Sequence, residues 1–121
     1  MLTQVAGSPF TAGTLPVSVA VNPAGPLAFV TNYGDSTVSV YSIDASTGAL
    51  AQVTGSPFSA GIGPISVALN PAGTLALVAN YGDNTVSDYS INATTGALTQ
   101  VAGSPFAAGT NPSSVTISQQ P

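Results

Sequence analysis

Four side chains in this 121-residue chain carry charge at neutral pH, and all four are aspartates: Asp35, Asp44, Asp83 and Asp88. Two of them close identical tetrapeptides, Asn32-Tyr33-Gly34-Asp35 and Asn80-Tyr81-Gly82-Asp83. A carboxylate, a carboxamide and a phenol in one short loop are the residue types of acid–base chemistry, of an oxygen-ligated cation or of a sugar-stacking rim. Each of these uses demands more than the loops supply. An inverting glycosidase pair works at a separation of about 6.5–9.5 Å, and loops on sheets packed ~10 Å apart place Asp35 and Asp83 at or beyond that range. Calcium takes six to eight oxygens, and one carboxylate per loop falls short. The plainer reading is that Asn and Asp hold these turns by local side-chain to backbone bonds. Asn32, Tyr33, Asp35, Asn80, Tyr81 and Asp83 are thus the candidate ligand-facing residues, with no residue assigned to catalysis, a cofactor or a metal.

The rest of the inventory narrows the chemistry further. The chain has no Lys, Arg, Glu, His, Cys or Trp. A Ser nucleophile has no usual base here, and neither a Schiff base nor a thiolate can form. Zinc lacks its nitrogen and sulfur ligands, and a phosphate cradle lacks its Lys. Nucleic acid and anionic membrane surfaces are disfavoured because no cation exists to meet phosphate. Mean hydropathy is positive at +0.40, yet no apolar run approaches the ~18 residues of a spanning helix, so no membrane insertion is expected. No secretory leader pattern is visible. So neutral a surface has little charge repulsion to keep copies apart and permits self-association. Asn92-Ala93-Thr94 matches a glycosylation sequon, but Asp44 holds the equivalent place one repeat earlier.

What positions the loops is a gapless repeat. Gly7-Ser8-Pro9-Phe10 returns as Gly55-Ser56-Pro57-Phe58 and Gly103-Ser104-Pro105-Phe106, a period of 48, and residues 1–48 match 49–96 at 33 positions. A period of that length means one supersecondary unit stacked on itself. Each unit reads as four strands: Val17–Val21, Leu27–Thr31, Thr37–Ile43 and Ala49–Val53, then Ile65–Leu69, Leu75–Ala79, Thr85–Ile91 and Ala97–Val101. Alternation of period two, β-branched residues and recurrent Pro and Gly argue against helix. Asn22-Pro23-Ala24-Gly25 suits a type I turn. Gly55 to Pro64 reads as the longest connection, a linker from an outer strand to the next inner one. Four antiparallel strands in ~48 residues is the arithmetic of a β-propeller blade, with a β-solenoid or a sandwich as the competing architectures.

Phe29-Val30-Thr31-Asn32-Tyr33-Gly34, followed by Thr37-Val38-Ser39-Val40-Tyr41, resembles the Tyr-Val-Thr-Asn (YVTN) propeller repeat. The Gly-Ser-Pro-Phe element is similar to the version in bacterial propeller lactonases related to 6-phosphogluconolactonase. The motif's Tyr is Phe29 here and Leu77 in the second copy, whose Thr is Ala79. The resemblance implies an all-β fold of propeller blades and an extracellular or cell-surface setting. Lactonase relatives rely on charged pocket residues, and this chain has none to match them.

The repeat arithmetic gives about two and a half blades: residues 1–10 as the outer strand of an incomplete blade plus linker, 11–58 and 59–106 as full blades, and 107–121 as an inner strand and tail. Residues 118–121 read as a C-terminus after that strand. Propellers need four to eight blades to close, so the chain is expected to complete a longer propeller, to join further copies, or to remain an open arc. Two copies supply strands enough for five blades, but each junction would hold an A and a D strand with no B or C between. The expected role is a non-enzymatic structural and protein-interaction module. The alternatives are a piece of a lactonase-like enzyme whose catalytic residues lie elsewhere, and carbohydrate or small-ligand binding at the loop rim. Tyr41, Tyr89, Phe10, Phe58 and Phe106 are expected to wedge between or beneath blades rather than to form a sugar-stacking platform. Asp88 stands where the first copy has Val40, and its face of the sheet is expected to meet solvent, because an unpaired buried carboxylate costs several kcal/mol.

Overall fold

A computed structural model describes residues 2–23 and 25–117. Their strands are β1 (Pro16–Val21), β2 (Leu27–Asn32), β3 (Thr37–Ile43), β4 (Leu50–Gln52) and β5 (Phe58–Ser59), then β6 (Pro64–Leu69), β7 (Leu75–Asn80), β8 (Thr85–Ile91), β9 (Leu98–Gln100) and β10 (Phe106–Ala107). No helix interrupts them among the described residues. They form two separate antiparallel sheets. One runs β1-β2-β3-β4 with β5 also on β3, and the other runs β6-β7-β8-β9 with β10 also on β8. The third strand of each unit has the bounds read from the sequence, the first and second differ by one residue at one end, and the fourth is shorter by one residue at both ends.

The first sheet includes Ser59, one residue past the expected boundary between 58 and 59. The outer strand expected within residues 1–10 is not a strand among the described residues, and Ser113–Ile117 carry no ladder either. A lone segment has no second and third strand to pair with, and its backbone groups gain nothing from extension. Residues 118–121 lie outside the described residues, as does Ala24 of the expected turn.

The stretch expected to be a plain linker is part of the sheet. β4 pairs with the end of β3 and β5 with its beginning, so the outer strand is one strand split by a bulge at Thr54–Pro57. The Ser56 hydroxyl fills the gap: it accepts the Val40 N–H at 2.8 Å and donates to Gln52 Oε1 at 2.7 Å. Ser104 repeats this with Asp88 N–H and Gln100. Gly55 takes φ +92°, and its missing Cβ leaves room for the Phe58 ring, 3.2 Å from where a Cβ would stand. The Gly-Ser-Pro-Phe motif is thus a side-chain splice in the outer strand. Ser56→Ala would leave the Val40 N–H without its acceptor, at a cost of about 1–3 kcal/mol for a half-buried donor. Thermal melting is expected to drop by several degrees, and an unchanged melting temperature would refute the splice.

The two sheets stack face to face. Leu27, Phe29, Val38 and Val40 of the first meet Val67, Ala76, Val78, Tyr89, Ile91 and Leu98 of the second in one core. Phe29, Val38, Val40, Ala76 and Val78 have no accessible surface. Because side chains alternate across a strand, each sheet has a second apolar face. On the first sheet that outer face carries Val17, Val19 and Val21, at 51, 64 and 60% exposure. Their counterparts in the second sheet, Ile65, Val67 and Leu69, are partly or fully buried at the junction.

Candidate functional site

The two Asn-Tyr-Gly-Asp loops lie at one end of the stacked sheets, each joining the second strand of a blade to the third. They do hold turns, but the bonds that matter are long-range, not local as the sequence suggested. Asp35 Oδ2 accepts the Thr14 N–H at 2.8 Å, and Asp83 Oδ2 accepts the Ile62 N–H at the same distance. Tyr33 and Gly34 donate backbone N–H groups to Leu15 and Thr14, and Tyr81 and Gly82 to Gly63 and Ile62. Each loop therefore clamps the segment that enters the innermost strand of its own blade, some twenty residues earlier. The signal was in the sequence as two conserved-phase glycines, Gly13 and Gly61, which sit against these loops.

Asn32 and Asn80 are fully buried at the loop bases. Asn32 Nδ2 donates to Thr37 and Ser39 at 3.1 and 2.9 Å, and its Oδ1 accepts the Gly13 N–H at 3.1 Å. Asn80 Nδ2 makes the matching pair with Thr85 and Ser87, while its Oδ1 has no partner. The Asn32 carboxamide thus pins the inner turn to the third strand, whereas that of Asn80 bonds the third strand alone, and neither presents itself to a ligand.

Tyr33 and Tyr81 belong to successive blades and meet at the rim, with ring centroids 6.5 Å apart and planes tilted by 53°. Tyr33 also reaches the next blade's backbone: a Cβ on Gly63 would lie 3.2 Å from Tyr33 Cε2. The tyrosine is an inter-blade wedge as much as a rim residue. The structure brings the six candidate residues together in two parallel clusters, with four of the six side chains spent on holding the fold.

The other aromatics divide by position. Tyr41 and Tyr89 are buried, and their hydroxyls donate to the carbonyls of Thr11 and Ser59 at 2.6 and 2.7 Å. Burial pushes the Tyr89 phenol above its ordinary pKa, with the Ser87 hydroxyl opposing. Phe58 packs against the core, whereas Phe106 is exposed, contrary to the expected wedge. Phe106 has no following sheet to enter. Asp44 is fully exposed and its carboxylate is held below its usual pKa, first by the Ser46 hydroxyl and then by the backbone N–H groups of Ser46 and Thr47. Asn92 accepts from Thr94 and Thr95 N–H in the same way, which gives the sequon position a turn-capping role.

No further sheet stacks on the Asp88 face among the described residues, so that face meets solvent as expected, though less freely than a bare surface. The side chain is half-buried, and its Oδ1 is shut off from solvent with no hydrogen-bond partner. No cation is available in the chain to pair with it.

The arrangement offers little chemistry. Asp35 and Asp83 each have an oxygen committed to a backbone amide, and no basic group stands near them to move a proton. Among the described residues no group of three His, Cys, Asp or Glu side chains could hold a metal ion. A hollow of about 210 Å³ opens at the opposite end of the blades between Asn22, Leu27, Gly73 and Thr94. None of the candidate residues lines it.

A family model described as "Lactonase, 7-bladed beta-propeller" matches residues 2–117. No curated protein matches the chain. Among solved structures, a Bacteroides fragilis protein provisionally assigned as a 6-phosphogluconolactonase superposes with a TM-score of 0.73 at 22% identity, covering 82% of this chain and 27% of that one. The periplasmic gluconolactonase of Pseudomonas aeruginosa gives 0.72 at 20% identity, covering 88% and 29%. Hydrazine synthase of Kuenenia stuttgartiensis gives 0.63 at 22%, covering 96% and 30%. The chain thus spans less than a third of each of these structures. Likeness at this identity shows the fold alone, and the same blades evidently carry unrelated activities.

Proposed function

The chain belongs to the seven-bladed lactonase β-propeller family, and from that premise we propose that it is a non-enzymatic pair of blades acting as a structural and protein-interaction module that completes a larger propeller. The observation that carries this reading is the outer face of β1. Val17, Val19 and Val21 stand in solvent, while the residues at the same repeat positions in the next blade are covered by a stacked sheet. An apolar face with a built precedent for its cover is a docking face. Self-association among copies is the other way to cover it. Lactone chemistry in a complete ring would reside on residues outside this chain, because the four aspartates here are half-buried, turn-bound or without any basic neighbour.

Two measurements test the proposal. Hydrolysis of a sugar lactone by the purified chain is expected to match the buffer blank, and turnover above it would overturn the non-enzymatic half. Serine at Val17, Val19 and Val21 together is expected to cut binding of an apolar fluorescent dye severalfold while the circular dichroism and melting temperature stay near those of the native chain. Equal dye binding by both chains would sink the docking half.

A further inference from the structure

The junction between the two blades shows what a matched pair of faces looks like, and each outer face departs from it at a residue that bears on docking. On the rear side of the first blade, Val40 is fully buried in the core against the second sheet. On the rear side of the second blade the same position is Asp88, whose Oδ1 is already occluded and unpartnered with no further sheet in place. On the front side of the second blade, Gly63 leaves its Cβ position empty, and the Tyr33 ring of the first blade occupies the space beside it at 3.2 Å. On the front side of the first blade the same position is Leu15, 62% exposed, with φ +53°.

On the rear face of the second blade the Val115 N–H of the chain's own last described segment reaches Ser66 Oγ at 3.4 Å. A second copy docked front to rear in the register of the internal junction would therefore displace this segment and press the Tyr81 ring of one chain onto Leu15 of the other. It would also seal Asp88 against apolar surface. No Lys, Arg or His of a second copy could meet that carboxylate, because the chain has none. Overpacking at one point and an unpaired buried carboxylate at another both oppose the contact. The low surface charge that favours indiscriminate association is thus countered at the two open faces.

We infer that these faces are not complementary to each other, and that the rear face of the second blade takes a blade presenting a hydrogen-bond donor, cationic or amide, to Asp88. Leu15 correspondingly requires a preceding blade with a small residue in place of the rim tyrosine. This rests on the docking reading above and adds its specificity: the two ends select different neighbours, and copies do not string into filaments.

The test restores the internal junction's residues at these two positions. The full chain carrying Leu15→Gly and Asp88→Val together is expected to form open head-to-tail oligomers whose mass in sedimentation rises with concentration. The native chain is expected to show no such growth. Native chains that polymerise equally, or a double variant of unchanged mass, would overturn the inference. A third chain tests the donor. Leu15→Gly with Val30→Lys keeps Asp88 and places a cation on the front face, at the position whose counterpart Val78 lies in the core. Its association is expected at low salt, and to be lost at ~1 M NaCl, where the screening length falls to about 3 Å. Absence of association, or indifference to salt, would refute the donor requirement. An unchanged apolar-dye signal in the valine-to-serine chain would strike the docking reading alone, which keeps the two failures apart.

Discussion

Alanine at Gly61 is expected to lower the melting temperature by about 10 °C, whereas alanine at Gly109, the same repeat position one period later, is expected to leave it unchanged. A Cβ on Gly61 would stand 2.7 Å from Asn80 Cγ and Nδ2 and from Asp83 Oδ2. These are not the free ends of flexible side chains. Asn80 is tied to Thr85 and Ser87, and Asp83 to the Ile62 N–H. Making room means breaking bonds that hold the rim loop to the inner strand. Overpacking and the lost bonds together amount to about 3 kcal/mol, and a domain of this size loses a few degrees per kcal/mol. Gly13 stands in the same vise against Asn32 and Asp35, so Gly13→Ala belongs with Gly61→Ala. Gly109 has nothing within 4 Å of its Cβ position. Melting followed by circular dichroism reads all three, and equal effects at Gly61 and Gly109 would refute the clamp.

Phe29→Ala is expected to cost about 4 kcal/mol, enough to leave much of the chain unfolded. Phe29 is wholly buried between the sheets, beside Val40 across the ladder. The alanine removes the largest fully buried apolar side chain of the first sheet. Its counterpart Leu77 pairs with Asp88 on the second blade's rear face and is only half-buried. Leu77→Ala is expected to cost about 1 kcal/mol or less. Urea unfolding of the two variants measures the difference directly. A Leu77→Ala effect as large as that of Phe29→Ala would mean that the rear face is covered in solution, contrary to the half-buried setting of Leu77.

Both pairs compare one repeat position in two surroundings, and that marks what could be read without coordinates. The strands, their order, the two blades and the family resemblance came from period-two alternation and a 48-residue phase, because these patterns are imposed residue by residue. That the chain holds no Lys, Arg, Glu, His or Cys was equally legible, since folding cannot alter an inventory. The sequence also located the rim loops, but it read their bonds as local.

Tertiary structure decided the rest. Asp35 and Asp83 bind amides some twenty residues away, Ser56 splices an outer strand that looked like a linker, and Tyr33 lies against Gly63 of the next blade. None of these pairings has a sequence period, because each depends on where a different part of the chain crosses. The same holds for Asp88, Leu15, Phe106 and Gly109. A repeat assigns every copy the same residue environment, and only the stacking of sheets says which copies have a neighbour to create it.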